Sequence, residues 1–119
     1  MRILLALLLF ASPLEAQTVI SRTYWPVPLD TLAIGHPKHT HVAVTGKVKY
    51  TRLEDDGDLH IKLVSLSDTT KFIIAECIPL LPCARPTAGR IITVYGISRQ
   101  DPEHLWFEVH VVEKWSYVQ

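Results

Sequence analysis

Five side chains with acid–base or metal-ligating chemistry recur along this chain: Asp58 and His60, Glu76, and Glu108 and His110. In an extended segment, residues two apart share a face, so Asp58 pairs with His60 and Glu108 with His110. Carboxylate plus imidazole is the ligand set of a divalent metal such as zinc, whose catalytic sites take three protein ligands and keep a position open. The same groups can serve as general acid and base, because a nearby carboxylate moves histidine across neutral pH. A third reading is structural: Asp, Glu and His interleaved across strands hydrogen-bond and hold a sheet together. Glu76 can also cap the loop that follows it. The candidate metal ligands are Asp58, His60, Glu108 and His110. Trp106 joins these four and Glu76 as a candidate ligand-binding platform. No catalytic signature is complete, so no residue is assigned a catalytic role.

Whether these groups meet depends on the strands that carry them. Asp55-Asp56-Gly57-Asp58-Leu59-His60 places an Asp-Gly pair between two alternating apolar runs, the strongest short-range sign of a β-hairpin. The first strand is expected over residues 39–50, with Val42, Val44 and Val48 inward and Gly46 marking a bend. The second is expected over 58–64, and the third over 71–75 after a polar turn. Residues 78–89 carry Pro79, Pro82 and Pro86. Interior prolines cost a helix roughly 3 kcal/mol each, so this segment reads as a loop. The fourth strand is expected over 90–97. The fifth, over 105–112, alternates Leu105, Phe107, Val109 and Val111 against Trp106, Glu108, His110 and Val112.

Five strands with a long connection after the third match a Greek-key OB-fold barrel, whose strands lie in the order 1-2-3-5-4 and close back on the first. In that order the starts and ends of strands two, three and five bring all five acidic and imidazole groups to one outer patch.

Residues 1–16 read as a signal peptide: Met1-Arg2, an apolar run from Ile3 to Ala11, a break at Ser12-Pro13 and Ala16 before the cut. The run is too short for a membrane span, which takes roughly 20 residues. Behind such a leader, Cys77 and Cys83 read as a disulfide stapling the loop between strands three and four, and the protein as secreted or periplasmic. Residues 17–38, rich in proline, form an extended N-terminal arm; Leu29 to Ile34 can make one helical turn. The OB-fold domain spans 39–115, and 116–119 is a tail. His36, His39 and His41 lie close together, and the bland reading is a solvated strand start rather than a metal clip.

The stretches Val44-Thr45-Gly46-Lys47-Val48, Asp56-Gly57-Asp58-Leu59-His60, Val94-Tyr95-Gly96-Ile97 and Trp106-Phe107-Glu108-Val109-His110 resemble small secreted bacterial OB-fold domains. Members of that group are mostly without assigned activity. Asp56-Gly57-Asp58 also resembles the Asp-Gly-Asp of staphylococcal-nuclease-like barrels, which would carry over only Asp58 as a calcium ligand. Leu59 replaces that family's threonine, and its phosphate-clamping arginines have no counterpart beyond Arg85 and Arg90. Without cations on the phosphoryl group, that chemistry lacks its electrostatic stabilisation.

The full chain of 119 residues has 12 basic and 12 acidic residues. Net neutrality removes general attraction to phosphate backbones. Nucleic acid is therefore not an expected partner, and only a local basic strip would bind it. The expectation is a secreted, non-enzymatic OB-fold module for a protein, glycan or small ligand. The alternative is a metal-dependent hydrolase using the carboxylate–histidine patch on strands two, three and five. No cofactor is required by the first reading; a divalent metal is required by the second.

Overall fold

The computed structural model describes residues 23–35 and 41–119. The expected signal peptide, and His36 and His39, lie outside the described residues. A two-residue bridge, β1 (Trp25–Pro26), and a single helical turn, α1 (Leu29–Ala33), precede five strands. These are β2 (His41–Leu53), β3 (Leu59–Val64), β4 (Phe72–Cys77), β5 (Ile91–Gln100) and β6 (Phe107–Tyr117), matching the five strands expected from sequence.

The barrel order is β2-β3-β4-β6-β5, and β5 pairs back onto β2 to close it. β4 and β6 run parallel, through Ile74–Glu108 and Ala75–Val109, and the other barrel pairs are antiparallel. Inward alternation puts Val42, Val44, Ile61, Leu63, Ile73, Ala75, Ile92, Val94, Val109 and Val112 in one core, none of them accessible to solvent. A sheet closed on itself has no long open edge, which removes the usual route to edge-to-edge aggregation.

β2 serves two neighbours. Its residues His41 to Lys47 pair with β5, and Lys47 to Leu53 pair with β3. The hand-over falls beside Gly46, as the mid-strand glycine implies. A Cβ there would stand 2.7 Å from the Leu29 side chain, so glycine lets α1 press against the bend. Leu29 and Leu32 of that turn belong to the core. The arm therefore packs on its own barrel: Trp25 and Pro26 run parallel to Val42 and Ala43, and the Val27 N–H donates to the Ala43 carbonyl at 3.0 Å.

The β2–β3 hairpin turns through Glu54–Asp58. The Gly57 N–H donates to the Glu54 carbonyl at 3.0 Å, and Gly57 takes φ 93°. This is the type I turn with a left-handed glycine that three-residue hairpin loops use. Cys77, the last residue of β4, is bonded to Cys83 in the next connection, as expected. The expected free tail differs from what is found: Ser116 and Tyr117 continue β6 opposite Thr93 and Ile92. The Tyr117 hydroxyl accepts from the Thr87 N–H at 3.0 Å, which fastens the strand end to the stapled loop.

Candidate functional site

Three cross-strand rows form the outer face of β2, β3 and β4. Lys47 opposes Val64, which opposes Phe72. Tyr50 opposes Lys62, which opposes Ile74; the row continues to Glu108 on β6 and Arg99 on β5. Arg52 opposes His60, which opposes Glu76. On β3 and β4 the inward residues between these rows are wholly buried aliphatics, so alternation turns the polar and aromatic set outward.

The third row and the hairpin build an acidic cluster. His60 presents Nε2 to Glu76 at 3.9 Å and Nδ1 to Glu54 at 3.8 Å. Ligand atoms of Asp58, His60 and Glu76 all lie within 4.8 Å of one another, and so do those of Glu76, Asp101 and Glu108. Glu76 belongs to both groups. It is 8 % exposed and Glu108 is 0 % exposed. Burial, a hydrogen bond to Glu108 and that neighbour's charge push the Glu76 carboxyl up to about 9. It is therefore a proton-carrying acid at neutral pH. Partial burial and the charge of Asp56 also raise Asp58.

Glu108 is fixed from two sides. Arg99 Nε donates to Oε2 at 2.7 Å, and Trp106 Nε1 donates to Oε1 at 3.3 Å. Asp101 organises the β5–β6 loop, accepting at Oδ1 from the N–H groups of Glu103 at 2.7 Å and His104 at 2.8 Å. Burial pushes Asp101 up, but those two N–H groups together with the His104 imidazole hold the carboxyl below its usual range.

Beside the cluster lies a run of rings. His104 stacks on Trp106 with centroids 4.2 Å apart and planes within 5°, and Phe72 meets Trp106 edge-on at 6.2 Å. Lys62 Nζ sits 4.2 Å from the Phe72 ring centre and 5.8 Å from that of Tyr50. Tyr50 also carries Arg52 at 5.7 Å. Tyr50 is thus part of the outer face, not of the core.

Of the five groups expected to converge, Asp58, His60, Glu76 and Glu108 do so. His110 joins neither ligand-atom group. Pairing passes from Ile97–Val111 directly to Ser98–Val109, so His110 is the extra residue of a β-bulge and its Nδ1 lies 3.1 Å from the Ile97 carbonyl oxygen. The same bulge breaks the expected alternation: Val112, not Val111, joins Val109 in the core. Glu54, Arg99 and Asp101 belong to the site and were not singled out from sequence. Their one local sign was position, Glu54 and Asp101 being polar residues next to strand ends.

No family model matches the chain, and no curated protein sequence matches it. Solved structures do. A protein described as an aspartyl-tRNA synthetase from Leishmania major Friedlin is similar with a TM-score of 0.62 and 18% identity, over 83% of this chain and 22% of that one. Asparaginyl-tRNA synthetase from Pyrococcus horikoshii gives 0.60 and 18%, over 78% and 23%. Telomere capping protein Ten1 from Saccharomyces pombe gives 0.51 and 13%, over 76% and 79%. The chain spans under a quarter of the length of either synthetase. Together with the closed 1-2-3-5-4 order, these likenesses identify the domain as an OB-fold barrel.

They also correct one expectation. Overall charge balance predicts no nucleic-acid partner, yet the same fold occurs in two tRNA synthetases and a telomere capping protein. Net charge averages over the whole surface. Binding responds to a strip, and Lys47, Arg52 and Lys62 stand together on the outer face here.

Proposed function

We propose that this chain is a binding module that takes a single-stranded nucleic acid across the outer face of β2, β3 and β4. The β2–β3 hairpin and the β5–β6 loop would frame the strand. OB-folds bind oligonucleotides and oligosaccharides on this face and with these two loops. The observation that carries the reading is the alternation of rings and cations along it: Tyr50, Lys62, Phe72, and Trp106 with His104. Stacking of one base on such a ring contributes about 1–3 kcal/mol and tolerates any base. The fold likenesses support the same reading. The apolar leader and the disulfide support an exported protein.

A second reading, an oligosaccharide, is favoured by the carboxylates of Asp58 and Asp101, which offer acceptors to hydroxyl groups but repel phosphate. Fluorescence anisotropy with labelled single-stranded DNA and RNA of about 12 nucleotides, a length within the usual site sizes, tests the first. Binding that weakens with salt and falls at least tenfold in both Trp106→Ala and Lys62→Ala supports it. No binding at 50 mM salt, or binding indifferent to Trp106, overturns it. Trp106-dependent capture on a glycan array would install the second reading instead.

A further inference from the structure

The acidic cluster does not depend on the ligand of the ring-bearing face, and its geometry suggests a separate binding event. We propose that Asp58, His60 and Glu76 form a site for one divalent transition-metal ion of the zinc type, with His60 ligating through Nε2.

Four observations carry this. First, the set is mixed: one imidazole nitrogen and two carboxylates, all with ligand atoms within 4.8 Å of one another. Tetrahedral ligands about 2.1 Å from an ion stand about 3.4 Å apart, so small side-chain rotations close the triad. Nitrogen in the set favours zinc and its neighbours over magnesium or calcium, which prefer oxygen throughout.

Second, the histidine stands between two carboxylates. Its Nδ1 faces the Glu54 carboxylate at 3.8 Å while its Nε2 faces Glu76. A carboxylate behind a ligating imidazole fixes the tautomer and ring plane and makes the ligand more basic. Glu54 is itself held by Arg52.

Third, Glu76 is 8 % exposed, and no lysine or arginine forms an ion pair with it among the described residues. Its close neighbours are His60 and the carboxyl of Glu108. A buried carboxyl without a cation partner is costly unless protonated or metal-bound.

Fourth, the surroundings divide the labour. Glu108 is committed to Arg99 and Trp106, and Asp101 to the loop N–H groups. Asp58, His60 and Glu76 are the other ligand-atom group, at the start of β3 and the end of β4. Three protein ligands leave a fourth position for water or for an oxygen of a bound molecule.

The test is zinc titration of the full chain, stripped of metal with a chelator, by isothermal calorimetry, with thermal melts alongside. One ion should bind per chain and raise the melting temperature. His60→Ala and Glu76→Gln should each abolish that binding while keeping the strand-type circular dichroism. Glu54→Gln, which touches no ion, should weaken it about 10–100-fold. His41→Ala should leave it unchanged. Zinc binding that survives in both His60→Ala and Glu76→Gln, or that disappears in His41→Ala, would overturn the proposal, as would no heat and no melting shift at 100 μM zinc. Glu76→Gln removes one ionisable group with little change of shape, so it keeps the test decisive if His60→Ala fails to fold.

Discussion

Glu76 and Glu108 meet as two buried carboxyl groups from the parallel strands β4 and β6, sharing a hydrogen bond beside one guanidinium, that of Arg99. Arg99 pairs with Glu108, so the shared proton falls to Glu76, which burial and the neighbouring carboxylate push up to about 9. In the unfolded chain Glu76 titrates in the ordinary carboxylate range, at 4.5. Between those two values the folded state holds a proton that the unfolded state has lost. Stability from this group is therefore complete below about pH 4.5 and declines as pH rises towards 9. Melting of the chelator-treated protein between pH 5 and 9 should show a falling midpoint, and Glu76→Gln should flatten the slope. An equal slope in the variant would show that Glu76 does not titrate in this window.

The stapled loop offers an independent check. Cys77 closes the end of β4 and its bond to Cys83 spans a short loop; just beyond it in the same connection, Ala84 and Thr87 bind the Trp115 indole and the Tyr117 hydroxyl. For a loop this short, chain entropy gives about 2 kcal/mol. Cys77→Ser/Cys83→Ser should lower the unfolding free energy in urea by about that amount, leaving the denaturant slope nearly unchanged. A loss under 0.5 kcal/mol would mean that the aromatic anchors alone hold the loop.

The barrel was legible in the sequence because its signals are local. Alternation of valine and isoleucine marked the strands, Asp56-Gly57 the hairpin, and the proline run with two cysteines the stapled loop. Gly46 marked the bend. The site was legible only where strands are regular: His60 and Glu76 fall opposite each other because β3 and β4 pair without a break. His110 could not be placed, because an extra residue in β6 is a property of its pairing with β5 and leaves no trace in spacing. Ser116 and Tyr117 read as a tail because their partners, Thr93 and Ile92, lie more than twenty residues away. Arg99 escaped notice for the same reason. Its meaning comes from Glu108 across the sheet, and nothing near it in sequence points there.

That cross-sheet pair makes the sharpest stability prediction. Glu108 is 0 % exposed, and Arg99 Nε, from the neighbouring strand, is the closest cation to it at 2.7 Å. Arg99→Met keeps most of the aliphatic stem but leaves a buried carboxylate without its cation, with the Glu76 carboxyl and the Trp106 indole as donors. Removing one member of a buried pair is strongly destabilising, and Arg99 is partly exposed, so a loss of about 2–3 kcal/mol is expected. Glu108→Leu in the same background removes the stranded charge and should recover most of that loss, because well-packed apolar side chains replace buried ion pairs at little cost. Urea unfolding of wild type, the two single variants and the double variant gives the coupling energy directly. Additive losses would mean that Glu108 finds its compensation elsewhere, and that Arg99 serves the outer face rather than the pair.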